Sequence, residues 1–469
     1  MVSNRVSIND LRVDTSYKLP NEEETVDEAL KRLEFQRKER LQLVPTDDED
    51  VKACLELLGE PIVNANEENA ERRERLTELL FKNEEHMRKF LDSVYGKGNQ
   101  RENTKEANED EDEDEFYTPA SIQLIEARKF LIKDSLQRAR RRLELQKESL
   151  NGQNIQREIL YRRNLNHSLS QFELTGSQIA STRPISQVVF SPTGEHIASG
   201  SWAGDIKIVE RSTLDIVKEF RTAHNGKIGG LDWHESGKLV VSGAADNCVK
   251  VWNTSSNGTN PAAVLTGHVG RVARVKFHPC GRFIASASFD TTWRLWDLES
   301  QDELQLQEGH AKEVFCLAFQ SDGSLICSAG LDSLGIVWDI RIGKSIMLLE
   351  GHAKPIYGLD WSPNGYHIAT GGADGAIKLW DIRRKGTVGT IMANKGIVSE
   401  VKFDKARGSF LVSSSYDKTV SLFSADNWKP IASLEGHTDK VLSVDISKDG
   451  DNIISSGWDR SVKLWTLPN

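Results

Sequence analysis

The feature that most constrains the fold is a set of four side chains that recurs in the second half of the 469-residue chain. A histidine is followed 22 residues later by an aspartate, with a hydroxyl residue four positions before that aspartate and an aromatic residue six positions after it. Five blocks keep this spacing, and a sixth has asparagine in place of histidine. The histidine positions are His224, His268, His310, His352 and His437, with Asn394 in the sixth block. The hydroxyl, aspartate and aromatic positions are Ser242, Ser286, Ser328, Thr370, Ser413 and Ser455; Asp246, Asp290, Asp332, Asp374, Asp417 and Asp459; and Trp252, Trp296, Trp338, Trp380, Phe423 and Trp465. Such a period indicates one structural unit repeated along the chain.

Three consecutive blocks show the pattern most clearly: GHVGRVARVKFHPCGRFIASASFDTTWRLWD, GHAKEVFCLAFQSDGSLICSAGLDSLGIVWD and GHAKPIYGLDWSPNGYHIATGGADGAIKLWD. They resemble WD40 repeats, and the resemblance implies the four-stranded blades of a β-propeller. It further implies that the Asp lies in the turn between the second and third strands and accepts a hydrogen bond from the His. The His then bonds the hydroxyl, which accepts the indole N–H. A buried polar chain is tolerable when every member is satisfied, at about 1 kcal/mol net per bond.

The same residue types form the catalytic triads of hydrolases, which makes catalysis the alternative interpretation. One triad repeated five times at fixed spacing, each time beside a tryptophan, is typical of fold maintenance instead. The rest of the sequence shows no Gly-rich phosphate loop and no metal-ligand cluster. We therefore predict structural histidines and a protein with no catalytic centre, cofactor or small-molecule substrate.

A seventh, degenerate blade is predicted upstream, in ISQVVFSPTGEHIASGSWAGDIKIVE. Ser199 keeps the hydroxyl position, but Ala203 and Val209 stand where Asp and Trp are expected, so this blade lacks the network. Only three strands follow the last repeat histidine, which leaves the final blade one strand short. The segment QFELT, residues 171–175, resembles the outer-strand segment AAVLT at 262–266. We predict that it closes a seven-bladed ring by pairing with the last blade.

One binding surface can be predicted from the repeat, because the residue before each tetrad aspartate lies at the tip of a tight turn on the narrower face of a propeller. Tyr416, Trp458 and Trp202 belong to blades that are neighbours in a closed ring, so they should form an aromatic arc. The predicted partner-binding residues are Trp202, Phe289, Tyr416 and Trp458, with the cations Lys418, Lys440 and Arg460. Aromatic residues and arginine together are typical of interface hot spots. The alternatives are that these rings pack on neighbouring loops or stack an RNA base, which a long basic stripe would favour more.

The first half of the chain is rich in Glu, Lys, Arg, Asn and Gln, with apolar residues in helical stripes. A short helix starting after Thr46 carries Val51, Cys54, Leu55 and Leu58 on one face, and the stretches 25–43 and 70–94 supply further stripes. We expect these helices to bury one another. The segment LQLVPTDDEDVKACLELLGEPIVNANEENAERRERLTELL resembles the splicing-factor motif of pre-mRNA-processing factors. The motif positions are Val44, Pro45, Thr46, Leu58, Gly59, Pro61, Arg72 and Arg73.

Residues 109–115 are all acidic, which predicts a solvated flexible linker. A long amphipathic helix is predicted after it, with a loose heptad seam that contains Ile122, Ile125, Ile132, Leu136, Leu143 and Leu150. Its basic turn consists of Arg138, Arg140, Arg141 and Arg142. Three interpretations of that turn stay open: contact with RNA phosphate or a partner, a nuclear import signal, or a solvated helix face.

The splicing-factor motif followed by WD40 repeats is similar to one family, the WD40 component of the U4/U6 small nuclear ribonucleoprotein, pre-mRNA-processing factor 4. The resemblance implies a non-enzymatic nuclear scaffold of the U4/U6 and U4/U6.U5 particles that is needed for splicing. It also implies pre-mRNA-processing factor 3 as a partner, assembly on U4 and U6 RNA through direct or indirect contact, and in some members a cyclophilin near the equivalent of FYT at 116–118. The alternative is a WD40 adaptor of another nuclear complex, in ubiquitin ligation or chromatin.

The expected organisation is a disordered tail at 1–24, the splicing-factor-motif helices at 25–95, the acidic linker at 96–115, the basic helix at 116–170 and an all-β seven-bladed propeller at 171–469. The net charge of −10 argues against a protein that coats nucleic acid, although local basic patches remain compatible with it. Five cysteines without a C-x-x-C pair, and no signal peptide or long apolar run, predict a reducing compartment and no membrane association.

Overall fold

The computed structural model describes residues 51–52, 54–55, 58, 69–82, 121–151, 155–256, 258–384 and 386–468. The chain divides into two compact units, Met1–Glu113 and Asp114–Asn469.

The first unit contains helix α1, Asn69–Lys82, and a small apolar cluster. Val51, Leu55, Leu76 and Leu80 are fully buried, and Cys54 is nearly so. Two of the stripes predicted from sequence therefore bury one another, which explains how such short helices are stabilised. Of the motif positions, Leu58 packs against this cluster and Arg72 is 4% exposed, whereas Val44, Pro45, Thr46, Gly59 and Pro61 lie outside the described residues.

The second unit begins with two helices, α2 (Ile122–Asn151) and α3 (Ile155–Leu169). Ser121 caps α2, because its Oγ accepts the Leu124 amide N–H at 3.1 Å. The predicted acidic linker and the FYT segment precede this cap and lie outside the described residues.

Twenty-eight strands follow in the described residues, four to a blade. The closing strand is β1 (Glu173–Ile179). Blades 1 and 2 consist of β2 (Ile185–Phe190), β3 (His196–Ser201), β4 (Ile206–Glu210) and β5 (Ile216–Phe220), then β6 (Ile228–Trp233), β7 (Leu239–Ala244), β8 (Cys248–Asn253) and β9 (Ala263–Thr266). Blades 3 and 4 consist of β10 (Val272–Phe277), β11 (Phe283–Ser288), β12 (Trp293–Asp297) and β13 (Glu303–Gln307), then β14 (Val314–Phe319), β15 (Leu325–Gly330), β16 (Gly335–Asp339) and β17 (Lys344–Leu349). Blades 5 and 6 consist of β18 (Ile356–Trp361), β19 (His367–Gly372), β20 (Ala376–Asp381) and β21 (Thr387–Met392), then β22 (Val398–Phe403), β23 (Phe410–Ser415), β24 (Thr419–Ser424) and β25 (Pro430–Glu435). Blade 7 consists of β26 (Val441–Ile446), β27 (Asn452–Gly457) and β28 (Ser461–Thr466), with β1 as its fourth strand.

The ring closes as the sequence predicts. Strand β1 pairs antiparallel with β28 from Glu173 opposite Thr466 to Ile179 opposite Ser461. It starts two residues later than the QFELT segment and extends beyond it. The first strand of every blade contacts the first strands of both neighbouring blades, including β2 with β26 across the closure. The fold is therefore a closed seven-bladed propeller, and no blade is left with an unpaired outer position.

Five blades contain the complete hydrogen-bonded network. In blade 4, His310 Nδ1 lies 2.7 Å from Asp332, His310 Nε2 lies 2.7 Å from Ser328 Oγ, and the Trp338 indole donates to the same Oγ at 2.9 Å. Because Asp332 can only accept, Nδ1 carries the proton, and the serine donates to Nε2. Equivalent bonds join the tetrads of His224, His268, His352 and His437.

Blades 1 and 6 lack this network. In blade 1, Ser199 bonds only a backbone carbonyl, as expected from Ala203 and Val209. In blade 6, the Asn394 side chain accepts from Ser421 at 3.1 Å, while its Nδ2 and the Ser413 Oγ are buried without a partner in the described residues. Each unsatisfied buried group costs about 1–3 kcal/mol. Asparagine at the histidine position therefore breaks the chain of bonds.

Neighbouring blades are also joined through the turns after their first strands. His234, His278 and Gln320 each bond a carbonyl of the next blade, on Gly281, Gly323 and Gly365 respectively. Gly281 has φ +81°, and a Cβ there would lie 2.5 Å from the His234 ring. Only glycine fits at this position without displacing the His234 ring and its hydrogen bond between the two blades.

The heptad seam predicted for α2 is wrong. Its members Ile122, Ile125, Ile132, Leu136 and Leu143 are all exposed, and nothing is described of the Leu150 side chain. The buried face carries Leu124, Ala127 and Leu131, which pack on Phe283, Leu304 and Ile340 of blades 3 and 4. Further along the helix the same face carries Arg138, Arg142 and Gln146. A face that is apolar in one half and polar in the other produces no continuous apolar stripe, so the isoleucines on another face gave a misleading pattern.

We predict that Asp332→Ala lowers the stability of the propeller by about 1–3 kcal/mol, because His310 loses its acceptor inside a buried network. Asp205→Ala is the matched control, since Asp205 lies in the equivalent turn of a blade without a tetrad and accepts only the Thr222 amide. Thermal melting of both variants measures the difference. Equal melting temperatures would contradict a stabilising role for the tetrad.

The tetrads also predict a specific loss of stability in acid. Burial acts to raise the pKa of Asp332, but the hydrogen bond and charge of His310 outweigh it and hold the pKa below its ordinary value. A lowered carboxyl pKa stabilises the fold above the unfolded pKa of about 3.9, and this contribution is lost as pH falls below it. Melting temperature measured from pH 6 to pH 2 should therefore fall less in Asp332→Asn than in the unchanged chain. Parallel curves would rule out the linkage.

Candidate functional site

A funnel opens on the face that carries the tetrad turns, which we call the narrow face. It has a volume of about 310 Å³ and lies at the centre of the ring. Its wall contains the predicted residues Trp202, Phe289 and Tyr416, together with residues that were not predicted. The predicted residues lie in the tight turns, and most of the residues that were not predicted lie in or next to the first strands of the blades. The ring geometry therefore concentrates aromatic and cationic side chains around one opening.

The predicted aromatic arc is present across blades 6, 7 and 1. Trp202 and Trp458 meet edge to face, with ring centroids 5.2 Å apart. The Lys440 ammonium lies 5.2 Å from the Tyr416 ring centroid and 5.1 Å from that of Trp458, and the Lys227 ammonium lies 4.5 Å from that of Trp202. Each contact is a cation–π interaction.

The other two predicted cations are placed differently. Lys418 and Arg460 occupy the left-handed position of their turns, with φ of 74° and 66°. Neither forms a cation–ring contact within the described part of the chain, unlike Lys440. The backbone conformation of the turn, rather than contact with an aromatic ring, therefore sets the position of these two side chains.

The opposite wall of the funnel was missed by sequence reasoning. Arg271 lies 3.7 Å over the Phe289 ring centroid, and Phe315 meets Tyr357 edge to face at 4.9 Å. Phe315 and Tyr357 are the second residues of their blades' first strands. The equivalent residues Ser186, Gly229, Ala273, Ser399 and Leu442 also line the funnel. Comparison of this one position across all the repeats would have identified Phe315 and Tyr357.

A buried cation lies in the funnel wall. Arg274 is 8% exposed, its guanidinium lies 5.3 Å from the Phe315 ring centroid, and it donates to the Gly229 carbonyl at 2.5 Å. It is absent from the ion pairs formed among the described residues. The buried Glu400 carboxylate is held instead by Gln187 at 2.9 Å, by the hydroxyl of Ser443 and by an ion pair with Lys402 at 3.7 Å. Arg274 therefore forms no ion pair with a carboxylate of the described residues, although it is buried.

The arginine side chains of the basic turn of α2 lie in several different environments. Arg142 is bound to Asp322 at 2.7 Å and to the Asn364 carbonyl at 2.7 Å, so it fastens the helix to the face opposite the narrow one, which we call the wide face. Arg138 pairs with Asp134 within the helix, and Arg140 pairs with Glu144 in solvent.

A cleft of about 1100 Å³ lies between α2, α3 and the wide face, beside the Arg142 contact. Its lining includes Arg138, Arg141 and Arg142 but not Arg140, and adds Arg162 and Arg407. The same lining contains the carboxylates of Glu148, Glu158, Asp322 and Asp426. The basic turn thus supplies one clamp to the propeller and part of the wall of a basic cleft.

One group of metal-ligand types occurs within the described ranges: Asp134, His278 and Cys280, with ligand atoms within 4.8 Å of one another. Burial lowers the pKa of His278 to about 4, so its ring is neutral. Its Nδ1 accepts the Cys280 amide at 3.1 Å, and its Nε2 donates to the Gly323 carbonyl at 2.7 Å. His234 makes the same turn bond in the preceding blade. Both ring nitrogens are occupied, so the group belongs to the turn and not to a metal.

The tetrads cannot act as catalytic triads. The hydroxyl residues Ser242, Ser286, Ser328, Thr370 and Ser455 have no exposed surface. Each hydroxyl lies between an imidazole and an indole N–H, so a substrate carbonyl has no path to it.

Four-stranded blades with buried His–hydroxyl–Asp–Trp networks, closed by a strand from before the first blade, define a WD40-repeat propeller. In agreement, the WD40 family (WD domain, G-beta repeat) matches residues 170–210, 215–253, 259–297, 301–339, 343–381 and 428–466. The unmatched interval 382–427 contains the first three strands of blade 6, in which Asn394 and Phe423 replace the usual histidine and tryptophan.

The chain is similar over nearly its whole length to U4/U6 small nuclear ribonucleoprotein PRP4 of Saccharomyces cerevisiae, with 45% identity over 471 residues, 99% of this chain and 100% of that protein. The PRP4-like protein of Arabidopsis thaliana is 45% identical over 448 residues, 94% of this chain and 79% of that protein. Human U4/U6 small nuclear ribonucleoprotein Prp4 is 39% identical over 211 residues, 43% of this chain and 37% of that protein. The chain therefore belongs to the U4/U6 small nuclear ribonucleoprotein Prp4 family.

We predict that Arg142→Ala loosens the C-terminal half of α2, because Asp322 and the Asn364 carbonyl lose their shared donor. Hydrogen bonds to charged groups contribute about 1.5–3 kcal/mol, so amide exchange in this half should accelerate about ten-fold or more. Arg140→Ala is the control, since Arg140 is 82% exposed. Hydrogen–deuterium exchange of both variants compares them. Unchanged exchange in Arg142→Ala would contradict the clamp.

Proposed function

We propose that this protein is a non-enzymatic scaffold of the spliceosomal U4/U6 and U4/U6.U5 particles, located in the nucleus. The observation that carries the proposal is the alignment of nearly the whole chain with a yeast protein named as a U4/U6 small nuclear ribonucleoprotein component. A chain whose polar tetrads are buried has its faces and helices available for contact with other molecules. Assembly by such surfaces requires no chemical step.

The narrow face is the surface that we assign to a protein partner. Trp202, Tyr416 and Trp458 form one continuous patch with Lys440, and Trp458 is 38% exposed although it is a large apolar residue. Clustered aromatic residues and cations of this kind are characteristic of binding hot spots. Pre-mRNA-processing factor 3 is the partner expected from the family resemblance, with a cyclophilin as a further partner through the N-terminal region.

The basic cleft is the surface that we assign to U4 or U6 RNA. Arg141 is exposed, and the Arg407 guanidinium lies 5.0 Å from the Tyr161 ring centroid. Other arginines there are already paired, Arg142 with Asp322 and Arg162 with Asp426. The unpaired cations could contact phosphate without releasing α2 from the propeller. None of the helices in the described ranges has the length and apolar composition needed to cross a membrane.

Purification of the tagged full chain from cells tests the function. We expect U4 and U6 RNA to be recovered with it, and their absence would refute the proposal. Trp458→Ala should reduce that recovery several-fold, because loss of a hot-spot aromatic residue costs about 2 kcal/mol or more of binding free energy.

The melting temperature of Trp458→Ala should stay within a few degrees of the unchanged chain, because the side chain is partly exposed. Val269→Ala is a matched control on the same face, since Val269 is 80% exposed and lies in blade 3, outside the arc. Equal loss of RNA recovery and of melting temperature would identify Trp458 as part of the structural core instead.

A further inference from the structure

The lining of the funnel is basic although the chain is acidic overall, because it contains Lys227, Arg271 and Arg274 and no carboxylate of the described residues. A basic residue lies within three positions before the first strand of every blade: Arg183, Lys227, Arg271, Lys312, Lys354, Lys395 and Lys440. All are exposed except Lys440, which is partly exposed. None belongs to an ion pair among the described residues. These cations, which we call the cation ring, surround the funnel without forming ion pairs, although the loops before the first strands also carry Glu308, Glu313, Glu350 and Asp439.

Three of these cations are held over aromatic rings. Lys227 lies over Trp202, Arg271 over Phe289, and Lys440 over Tyr416 and Trp458. A nucleic acid base stacks on a free aromatic face, and cations occupy these faces here. The rings therefore serve to orient positive charge towards the opening, which suits an anionic side chain better than a base.

Arg274 adds an anchor point inside the funnel. It is more than nine-tenths buried and lines the funnel wall, and no carboxylate of the described residues pairs with it. Burying an unpaired guanidinium is costly, and an entering carboxylate that accepts its N–H groups removes that cost. The buried Glu400 carboxylate is already satisfied by Gln187 and Ser443 and is paired with Lys402 at 3.7 Å, so it does not compete.

We propose that the funnel binds an extended acidic segment of a protein partner, with one Asp or Glu side chain reaching Arg274 and flanking acidic residues on the cation ring. This inference rests on the proposed scaffold function and specifies the chemistry of the partner that the narrow face takes. The depth of Arg274 gives a preference for one central acidic residue, and the ring gives a broader preference for negative charge around it.

Fluorescence anisotropy with the purified full chain tests this directly. The first probe is a fluorescein-labelled fifteen-residue peptide of Ala and Ser with five regularly spaced Glu residues. The second has Gln at those five positions, and the third is a fluorescein-labelled fifteen-nucleotide polyuridine RNA. We expect the Glu peptide to bind about ten-fold or more tightly than the Gln peptide at physiological salt.

The double variant Lys227→Ala, Arg271→Ala should weaken binding of the Glu peptide about ten-fold with an unchanged melting temperature, because both side chains are exposed. Lys238→Ala, an exposed lysine in the turn between β6 and β7 on the wide face, is the matched control and should bind normally. Arg274→Met adds a test of the anchor if it folds, and the double variant decides the question if it does not.

Equal affinity for the Glu and Gln peptides, or equal losses in the double variant and the Lys238 control, would overturn the inference. So would tighter binding of the RNA probe that the double variant abolishes, because the face would then be an RNA site. These results are separate from the scaffold function. Recovery of U4 and U6 RNA with a failed peptide test refutes only the acidic segment, whereas absence of both RNAs refutes the scaffold itself.

Discussion

The pairing of β1 with β28 is the constraint on which the other features depend. Each blade of this propeller needs a fourth, outer strand, and the outer strand of blade 7 comes from the segment directly after α3. Closure makes blades 7 and 1 neighbours, which brings Trp458 against Trp202. It also fixes the seven inner strands around one axis, so that Arg274 and Tyr416 line the same funnel although they are far apart in the sequence.

Within this ring the tetrads set the stability of single blades. Five networks satisfy every buried donor and acceptor, whereas blade 6 leaves the Ser413 hydroxyl and the Asn394 amide nitrogen without partners in the described residues. Blade 6 also supplies Tyr416 to the arc, next to blade 7, which holds the closing strand. Blade 6, in which the tetrad is incomplete, therefore contributes to the candidate binding surface, where loss of local stability is tolerated more readily than at the hydrogen bonds between other blades.

Local spacing was sufficient to predict the tetrads, the closure and the turn residues of the arc, because each depends on residues at fixed distances within one repeat. The face of α2 could not be read in this way. Its contacts change along the helix from apolar packing through Leu131 to a polar clamp through Arg142. Only the propeller surface determines where this change occurs. Phe315 and Tyr357 were missed because a bulge follows the start of each first strand, which obscures the face to which the second residue points.

The closing strand has a consequence for synthesis on the ribosome. Thr175 bonds the Leu464 carbonyl, and the two residues are 289 positions apart. At about 5–20 residues per second, a nascent chain would wait roughly 15–60 s before the partner of β1 is made. During that interval β1 presents unpaired amide and carbonyl groups, although its side chains are mostly polar or small. The low hydrophobicity of β1, the first strand to be synthesised, therefore limits aggregation of the nascent chain with other polypeptides.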